Sequence, residues 1–297
     1  MPKRTAPVIV AYPGALQSSV LGLTDILSHA GLEPITVAKE GDIPARAAAI
    51  ILPPAAEPPE PTGSPWIGQW LQRCSANGVP ICSACVGVVW VAAAGVDAGR
   101  PVTTHWGIVA EIRKSWPDLA VETDRLVIEY SDLVTAGGLM AWIDLALIVI
   151  ERLVGHQAML STARHFVVDP GRRDQRRFQR FQPVTDHGDA KILRAQAILE
   201  CDLRSSLPVA KIAGQLGLSP RSLQRRFSAA TGLSLTDYLQ KLRIEQAKTL
   251  LADTETSVAN VALDVGYTDV PAFHRVFLRH AGQPPARFRR SMKGGKR

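Results

Sequence analysis

Arg221, Gln224 and Arg225 stand at i, i+3 and i+4, so on a helix all three share one face. Arginine and glutamine are the side chains whose forked donors and acceptors fit guanine and adenine edges two hydrogen bonds at a time. Leu223 and Phe227, four apart, mark the opposite, apolar side and turn Arg221, Ser222, Gln224, Arg225 and Ser228 outward. A second set with possible chemistry surrounds Cys85, in Ser83-Ala84-Cys85-Val86-Gly87. Small residues flank the thiol where an apolar run passes into a helical one, the arrangement of a nucleophile elbow, and a helix start beneath it is expected to favour thiolate. Each set also has an ordinary reading, a solvated helix surface for the first and a buried structural cysteine for the second.

The elements that position the first set occur twice. VAKIAGQLG (Val209 to Gly217) and LQRRFSAATG (Leu223 to Gly232) return as VANVALDVG (Val258 to Gly266) and FHRVFLRHAG (Phe273 to Gly282). The offset is 49 residues in the first block and 50 in the second, so the copies differ by one residue in the turn. Val209, Ile212, Ala213 and Leu216 form one helical face, Gly217 makes the turn, and Ser219 with Pro220 starts the next helix. That is a helix-turn-helix, and its duplication makes binding to DNA the leading expectation. In the second copy Val258, Val261, Ala262 and Val265 repeat the core, followed by Phe273 and Phe277. Its outer face, Val270, Pro271, Ala272, His274 and Arg275, is less polar, which suits phosphate, groove shape or thymine methyl groups more than base edges. Between the copies, Leu235 to Leu251 reads as one helix of about 25 Å at about 1.5 Å per residue. Such a rod can set two recognition helices into successive major grooves about 34 Å apart.

Charge divides the chain at the same place. Residues 1–165 carry a net −4 and residues 166–297 a net +11, so the basic excess lies with the repeat. Lysine and arginine bind polyanions by releasing condensed counterions, which favours double-stranded DNA over a membrane surface as the partner. At 297 residues two domains are expected. The N-terminus lacks a signal-peptide pattern, and the longest apolar stretch, Leu139 to Val154, is broken by Asp144 and Glu151. A cytoplasmic protein with free thiols is the expectation. Cys82-Ser83-Ala84-Cys85 has no second pair and no nearby histidine, so no metal and no cofactor is expected.

The first 155 residues alternate strand-like runs (Val8–Tyr12, Ile35–Ala38, Ala49–Leu52, Val79–Cys82, Leu133–Thr135) with helical stretches (Ser18–Ala30, Trp66–Asn77, Val86–Ala94, Leu139–Val154). This order predicts an α/β domain, a parallel sheet with helices on both faces. Phe166 to Asp189 is read as a connector, with five arginines between Arg172 and Arg180. The expected division is 1–165 for sensing, 166–189 for the connector and 190–291 for an all-α part with both helix-turn-helix units. Ligands of open parallel sheets sit beyond the strands' carboxyl ends. There the candidate ligand-binding residues are Tyr12, Gly14, Cys85, Val86, His105, Trp106, Gly137 and Gly138. Tyr12 and Trp106 could face a cationic amine through their rings, or could equally be core.

GLSPRSLQRRF, TGLSLTDYLQKLRIEQAKTLL, VANVALDVGYTD and FHRVFLRHAGQPPARFR together resemble the AraC/XylS family of transcription factors. That resemblance places base-contacting positions on Arg221, Gln224 and Arg225, and near Val270, Pro271, His274 and Arg275; Val270-Pro271 departs from the more polar residues common there. CVGVVWVAAAGVDAGRPVTTHW and LVTAGGLMAWIDLALIVIERLVG resemble the class I glutamine amidotransferase-like (ThiJ/PfpI) domain, in the version joined to AraC-type helices in GlxA-type regulators. It implies a flavodoxin-like fold and a small-molecule effector, often a nitrogen compound such as an amino acid or quaternary amine.

An enzyme of this kind needs a base and an orienting group for its thiol. No histidine is followed two residues later by glutamate, and Gln17-Ser18-Ser19 and Pro53-Pro54 stand where ThiJ/PfpI enzymes often have an acidic residue and Gly-Gly. His105 alone is placed to approach Cys85. The sequence therefore predicts a non-enzymatic, sequence-specific transcription regulator; the alternative is a thiol-dependent amidase or glyoxalase-like enzyme joined to a DNA-binding part. A redox sensor built on Cys82 and Cys85 ranks third. Promoter DNA, an effector, RNA polymerase and a second copy of the chain (a homodimer) are the expected partners.

Overall fold

The computed structural model describes residues 5–171, 174–204 and 208–293. The chain forms two compact units, Met1–Gln175 and Arg176–Arg297, so the division falls inside the stretch read as a connector.

In the first unit a six-stranded sheet has the order β2-β1-β3-β4-β6-β5. Strands β1 (Pro7–Val10), β2 (Ile35–Val37), β3 (Ala49–Leu52), β4 (Ile81–Ala84) and β6 (Leu133–Ala136) run parallel. Their apolar runs follow from position, since β1, β3, β4 and β6 are buried along their whole length. The sheet is not wholly parallel, because β5 (Val127–Glu129) pairs antiparallel with β6 at the edge. Three residues with alternating exposure leave too short a pattern to read from sequence.

Helices α1 (Gln17–His29) and α5 (Trp142–Leu153) pack together, as do α2 (Pro65–Ala76) and α3 (Val88–Ala94), and both α5 and α2 lie against β4. Gly22 makes the first of these contacts close, since a Cβ there would meet the Trp142 ring at 2.4 Å. Two further helices, α4 (Val109–Ser115) and α6 (His156–His165), complete the unit.

The second unit is all helical: α7 (Ala190–Cys201), α8 (Val209–Gln215), α9 (Pro220–Thr231), α10 (Leu235–Asp253), α11 (Val258–Asp264), α12 (Val270–Ala281) and α13 (Pro285–Met292). It has two apolar cores, and the repeat extends through both of them. Ile192, Ala195 and Leu199 of α7 hold in the first core the places that Ile244, Ala247 and Leu251 of α10 hold in the second. Leu235 and Tyr238, at the start of α10, correspond to Pro285 and Phe288 of α13. Helix α10 thus closes one bundle with its first turn and opens the next with its last three. At 19 residues it is about 28 Å long.

Candidate functional site

Helix α9 is started by Ser219, whose side chain accepts the Ser222 N–H, with Pro220 in its first turn and Gly232 in the left-handed conformation at its end. Helix α12 is started by Asp269, which accepts the Ala272 N–H, and ends at Gly282 in the same conformation. Position by position from 221 to 230 and from 271 to 280, the two helices show one pattern of burial. Leu223 and Phe227 in the first, Phe273 and Phe277 in the second, are wholly buried. Equal anchoring fixes equal presentation. Arg221, Gln224 and Arg225 are exposed on α9, as are Pro271, His274 and Arg275 on α12, while Ser222 and Val270 are half-buried.

The two outer faces differ in chemistry. Among the described residues Arg225 has no ion pair, whereas its neighbour Arg226 turns inward and grips both carboxylate oxygens of Asp189 at 2.9 and 2.8 Å. Asp189 also starts α7 by accepting the Lys191 and Ile192 N–H groups, and the arginine beside it holds its carboxyl below the usual range although burial opposes this. On α12 the Arg275 guanidinium stands 3.8 Å from the helix-starting Asp269 carboxylate.

Helix α11 is locked to the loop after α7. Arg204 bonds the Asp264 carboxylate at 2.7 Å, and Arg243 donates to the Leu203 carbonyl at 2.8 Å. Gly266, at φ +87°, fits because a Cβ would lie 2.7 Å from that same carbonyl. The extra residue in the second turn therefore sits where the two bundles meet.

In the first unit β4 ends at Ala84 and Cys85 adopts φ +54°, a strained value for a residue with a side chain. The turn that follows presses on the end of β3. A Cβ on Gly87 would lie 2.8 Å from the Leu52 carbonyl oxygen. The elbow expected from Ser83-Ala84-Cys85-Val86-Gly87 is present, and glycine is required at its last position.

The thiol inside this elbow is not a thiolate. Burial pushes Cys85 up to about 11, outweighing the backbone N–H groups of Val86 and His105 that stabilise its charged form. The expectation that a helix start would activate it fails because desolvation wins. Cys82 is buried in β4 and pushed up to about 12 by the same cause. The His105 imidazole is occupied, with Nδ1 accepting the Gly107 N–H at 3.0 Å and its ring 5.1 Å from the ring of Trp106. Its proton affinity is lowered by burial.

Around the elbow, Tyr12 is a core residue: it is 2% exposed, meets Trp90 edge-on at 5.5 Å and donates its hydroxyl to the Pro53 carbonyl. Val86 is buried, His105 and Trp106 are half-buried, and Gly14 is exposed at φ +86°. Thr104, which sequence reading passed over, donates from Oγ1 to the Cys85 carbonyl at 2.8 Å. Gly137 and Gly138 follow β6, and Gly137 lies against Thr104 and the side chain of Gln175.

Residues 192–291 match the family model described as Helix-turn-helix domain. This part of the chain is a helix-turn-helix domain. Over 225 residues the chain is 30% identical to the HTH-type transcriptional regulator CdhR of Pseudomonas aeruginosa, covering 74% of this chain and 66% of that protein. It is 26% identical over 223 residues to the HTH-type transcriptional regulator GlxA of Rhizobium meliloti, covering 74% and 68%. For GbdR of P. aeruginosa the covered share of the relative is 59%, so the chain spans about two thirds or less of the first relatives it matches. Among solved structures, Drosophila melanogaster DJ-1beta is similar at 18% identity and a TM-score of 0.47, over 56% of this chain and 98% of that one. Among the described residues no helix is long and apolar enough to cross a membrane.

The helix-turn-helix domain begins its packing earlier than its matched span. Phe181 joins the first core and meets Tyr238 edge-on at 5.2 Å, and Gln196 donates to the Val184 carbonyl and to Tyr238 Oη. Phe181, the second of two phenylalanines among the arginines, was the one sequence signal for this.

Proposed function

We propose that the chain is a sequence-specific DNA-binding transcription regulator, with α9 as its main reader of bases. The observation that carries this is the exposed, outward set Arg221, Gln224 and Arg225, on a helix fixed from behind by Leu223 and Phe227 within a duplicated helix-turn-helix domain. Ser222 borders the same surface. Helix α12, through Val270, Pro271, His274 and Arg275, contributes mainly phosphate and shape recognition, because few of these groups can hydrogen-bond to a base.

In the same reading residues 1–165 sense a small nitrogen compound near Gly14, Cys85, Val86, His105, Trp106, Gly137 and Gly138, with Tyr12 supporting the crevice from the core. Residues 166–189 connect this part to the DNA-binding residues 190–291. The protein works in the cytoplasm as a homodimer and acts on RNA polymerase at promoters. An effector alters promoter binding to the extent that its affinity differs between two states of the chain. The neutral, buried thiol and the occupied imidazole speak against thiol catalysis.

The test is selection of duplexes from a randomised pool by the full chain, followed by titration of the winner. A convergent sequence is expected, with its preference lost in the Arg221→Ala/Arg225→Ala variant. Binding that is uniform across sequences and identical in that variant would refute the reading.

A further inference from the structure

Gln175, the last residue of the first unit, is 3% exposed, and its side-chain nitrogen is the meeting point of three oxygens. Nε2 lies 3.1 Å from Thr103 Oγ1, 3.1 Å from the Thr104 carbonyl and 3.1 Å from the Arg125 carbonyl. Thr103 Oγ1 donates its own hydrogen to the Arg125 carbonyl at 2.9 Å, so towards Gln175 it acts as an acceptor. Each acceptor is held independently of Gln175. The Thr103 N–H donates to Thr135 Oγ1 on β6, and Thr104 is tied by its hydroxyl to the Cys85 carbonyl. Gly137 completes the wall, since a Cβ there would come 1.9 Å from Nε2 and 2.5 Å from the Thr104 carbonyl.

Three preorganised acceptors face one nitrogen that has two hydrogens. An amide satisfies two of them well and shares the third, whereas an ammonium group satisfies all three at the greater cost of burying a charge. Ser83 Oγ, on the strand position paired with Thr135, is buried and has no partner among the described residues. The nest adjoins the crevice assigned above, because Thr104 precedes His105 and Gly137 belongs to the same loop cluster.

We propose that this nest is the receptor for the nitrogen group of the effector, a primary amide or a primary ammonium, and that Gln175 is a resident mimic which the effector displaces. Gln175 is followed directly by Arg176, whose guanidinium donates to the Arg279 carbonyl on α12. The two anchored side chains are adjacent in sequence. Displacement of Gln175 therefore releases the side-chain anchor immediately before Arg176. The proposal deepens the sensing half of the function given above, and its test uses no DNA, so its failure leaves the DNA-binding reading intact.

The test is thermal unfolding and timed trypsin cleavage of the full chain with propionamide, ethylammonium chloride, and two probes without N–H groups, N,N-dimethylpropionamide and tetramethylammonium chloride. In Gln175→Ala, propionamide or ethylammonium is expected to raise the melting temperature at concentrations at least tenfold lower than wild type needs, whereas in wild type the same probe is expected to speed cleavage after Arg176 and Arg177 by displacing Gln175. Whichever of the two acts identifies the group as amide or ammonium. The probes lacking N–H should do neither, and Gly137→Ala placed on Gln175→Ala should abolish the response. The isosteric Gln175→Glu sets a carboxylate against three acceptors and should speed the same cleavage in the absence of any probe. Equal responses to probes with and without N–H groups, or wild-type cleavage rates in Gln175→Glu, would overturn the proposal.

Discussion

Two adjacent arginines on α9 make opposite predictions. Arg225 points outward without an ion pair among the described residues, so Arg225→Ala should leave the stability of the chain within about 0.5 kcal/mol. Its cost should fall on DNA: about 1–3 kcal/mol for one bidentate base contact, which is roughly a five- to 150-fold loss of affinity for a selected duplex. Arg226 is the reverse case. Its two bonds to Asp189 are partly screened, with side chains 37% and 21% exposed, so Arg226→Ala should cost about 0.5–1.5 kcal/mol of stability. For a unit of this size that is a fall of a few degrees in melting temperature, about 2–6 °C. Affinity for the duplex, measured where the variant remains folded, should stay within about threefold of wild type.

Fluorescence anisotropy with the selected and a scrambled duplex, at two salt concentrations, gives the assay. Loss on the selected duplex alone marks a base contact; equal loss on both, with a salt slope smaller by about one, marks a phosphate contact. If Arg225→Ala lowers the melting temperature and leaves both affinities unchanged, the face assigned to DNA is the wrong one.

Gly266→Ala should destabilise the second bundle by about 1–3 kcal/mol or more, because its φ of +87° is strained for alanine and the Leu203 carbonyl blocks the new Cβ; urea unfolding would show it. Phe277→Ala, at a wholly buried site, should cost about 3–5 kcal/mol and abolish α12 contacts in a footprint. His280 is held down to about 4 by burial and by Lys241, Arg279 and Lys248. The unfolded chain takes up a proton at about 6.5, which the folded chain refuses until about 4. Stability should thus be full above about pH 6.5 and fall by about 1–3 kcal/mol towards pH 4, and His280→Gln should flatten that slope in urea midpoints. Iodoacetamide at neutral pH should modify the exposed Cys201 first and Cys85 at least about a hundredfold more slowly, read by mass spectrometry.

The parts of this molecule that were legible in the sequence are those held by local and periodic forces. Ile212, Ala213, Leu216, Leu223 and Phe227 announce a helix-turn-helix because each helix must bury one stripe, and Ser219, Gly232 and Gly282 mark ends where few other residues fit. The elbow at Cys85 was legible for the same reason, through Gly87. Its chemistry was not, because the state of a thiol depends on how much water the fold removes, and no local pattern records that. Gln175 was hidden in a run of arginines, since its three acceptors come from residues 50 to 72 positions away.

The second unit shows why a repeat can be visible while its boundary is not. Ile192-Ala195-Leu199 and Ile244-Ala247-Leu251 have the same spacing of three and four, yet the second set lies inside one continuous helix whose first turn belongs to the other core. Sharing one rigid helix removes a flexible joint between the two readers, and Arg204, Arg243 and Gly266 close the remaining gap between the bundles. Under the function proposed above, the two outward faces then meet a duplex at a fixed separation. Inserting one residue in α10 between Tyr238 and Ile244 would turn the second bundle by about 100° relative to the first. Such an insertion should therefore cost more affinity for the selected duplex than Arg275→Ala does, although it removes no contacting side chain. A chain with that insertion that kept wild-type affinity would mean that the two bundles bind DNA independently.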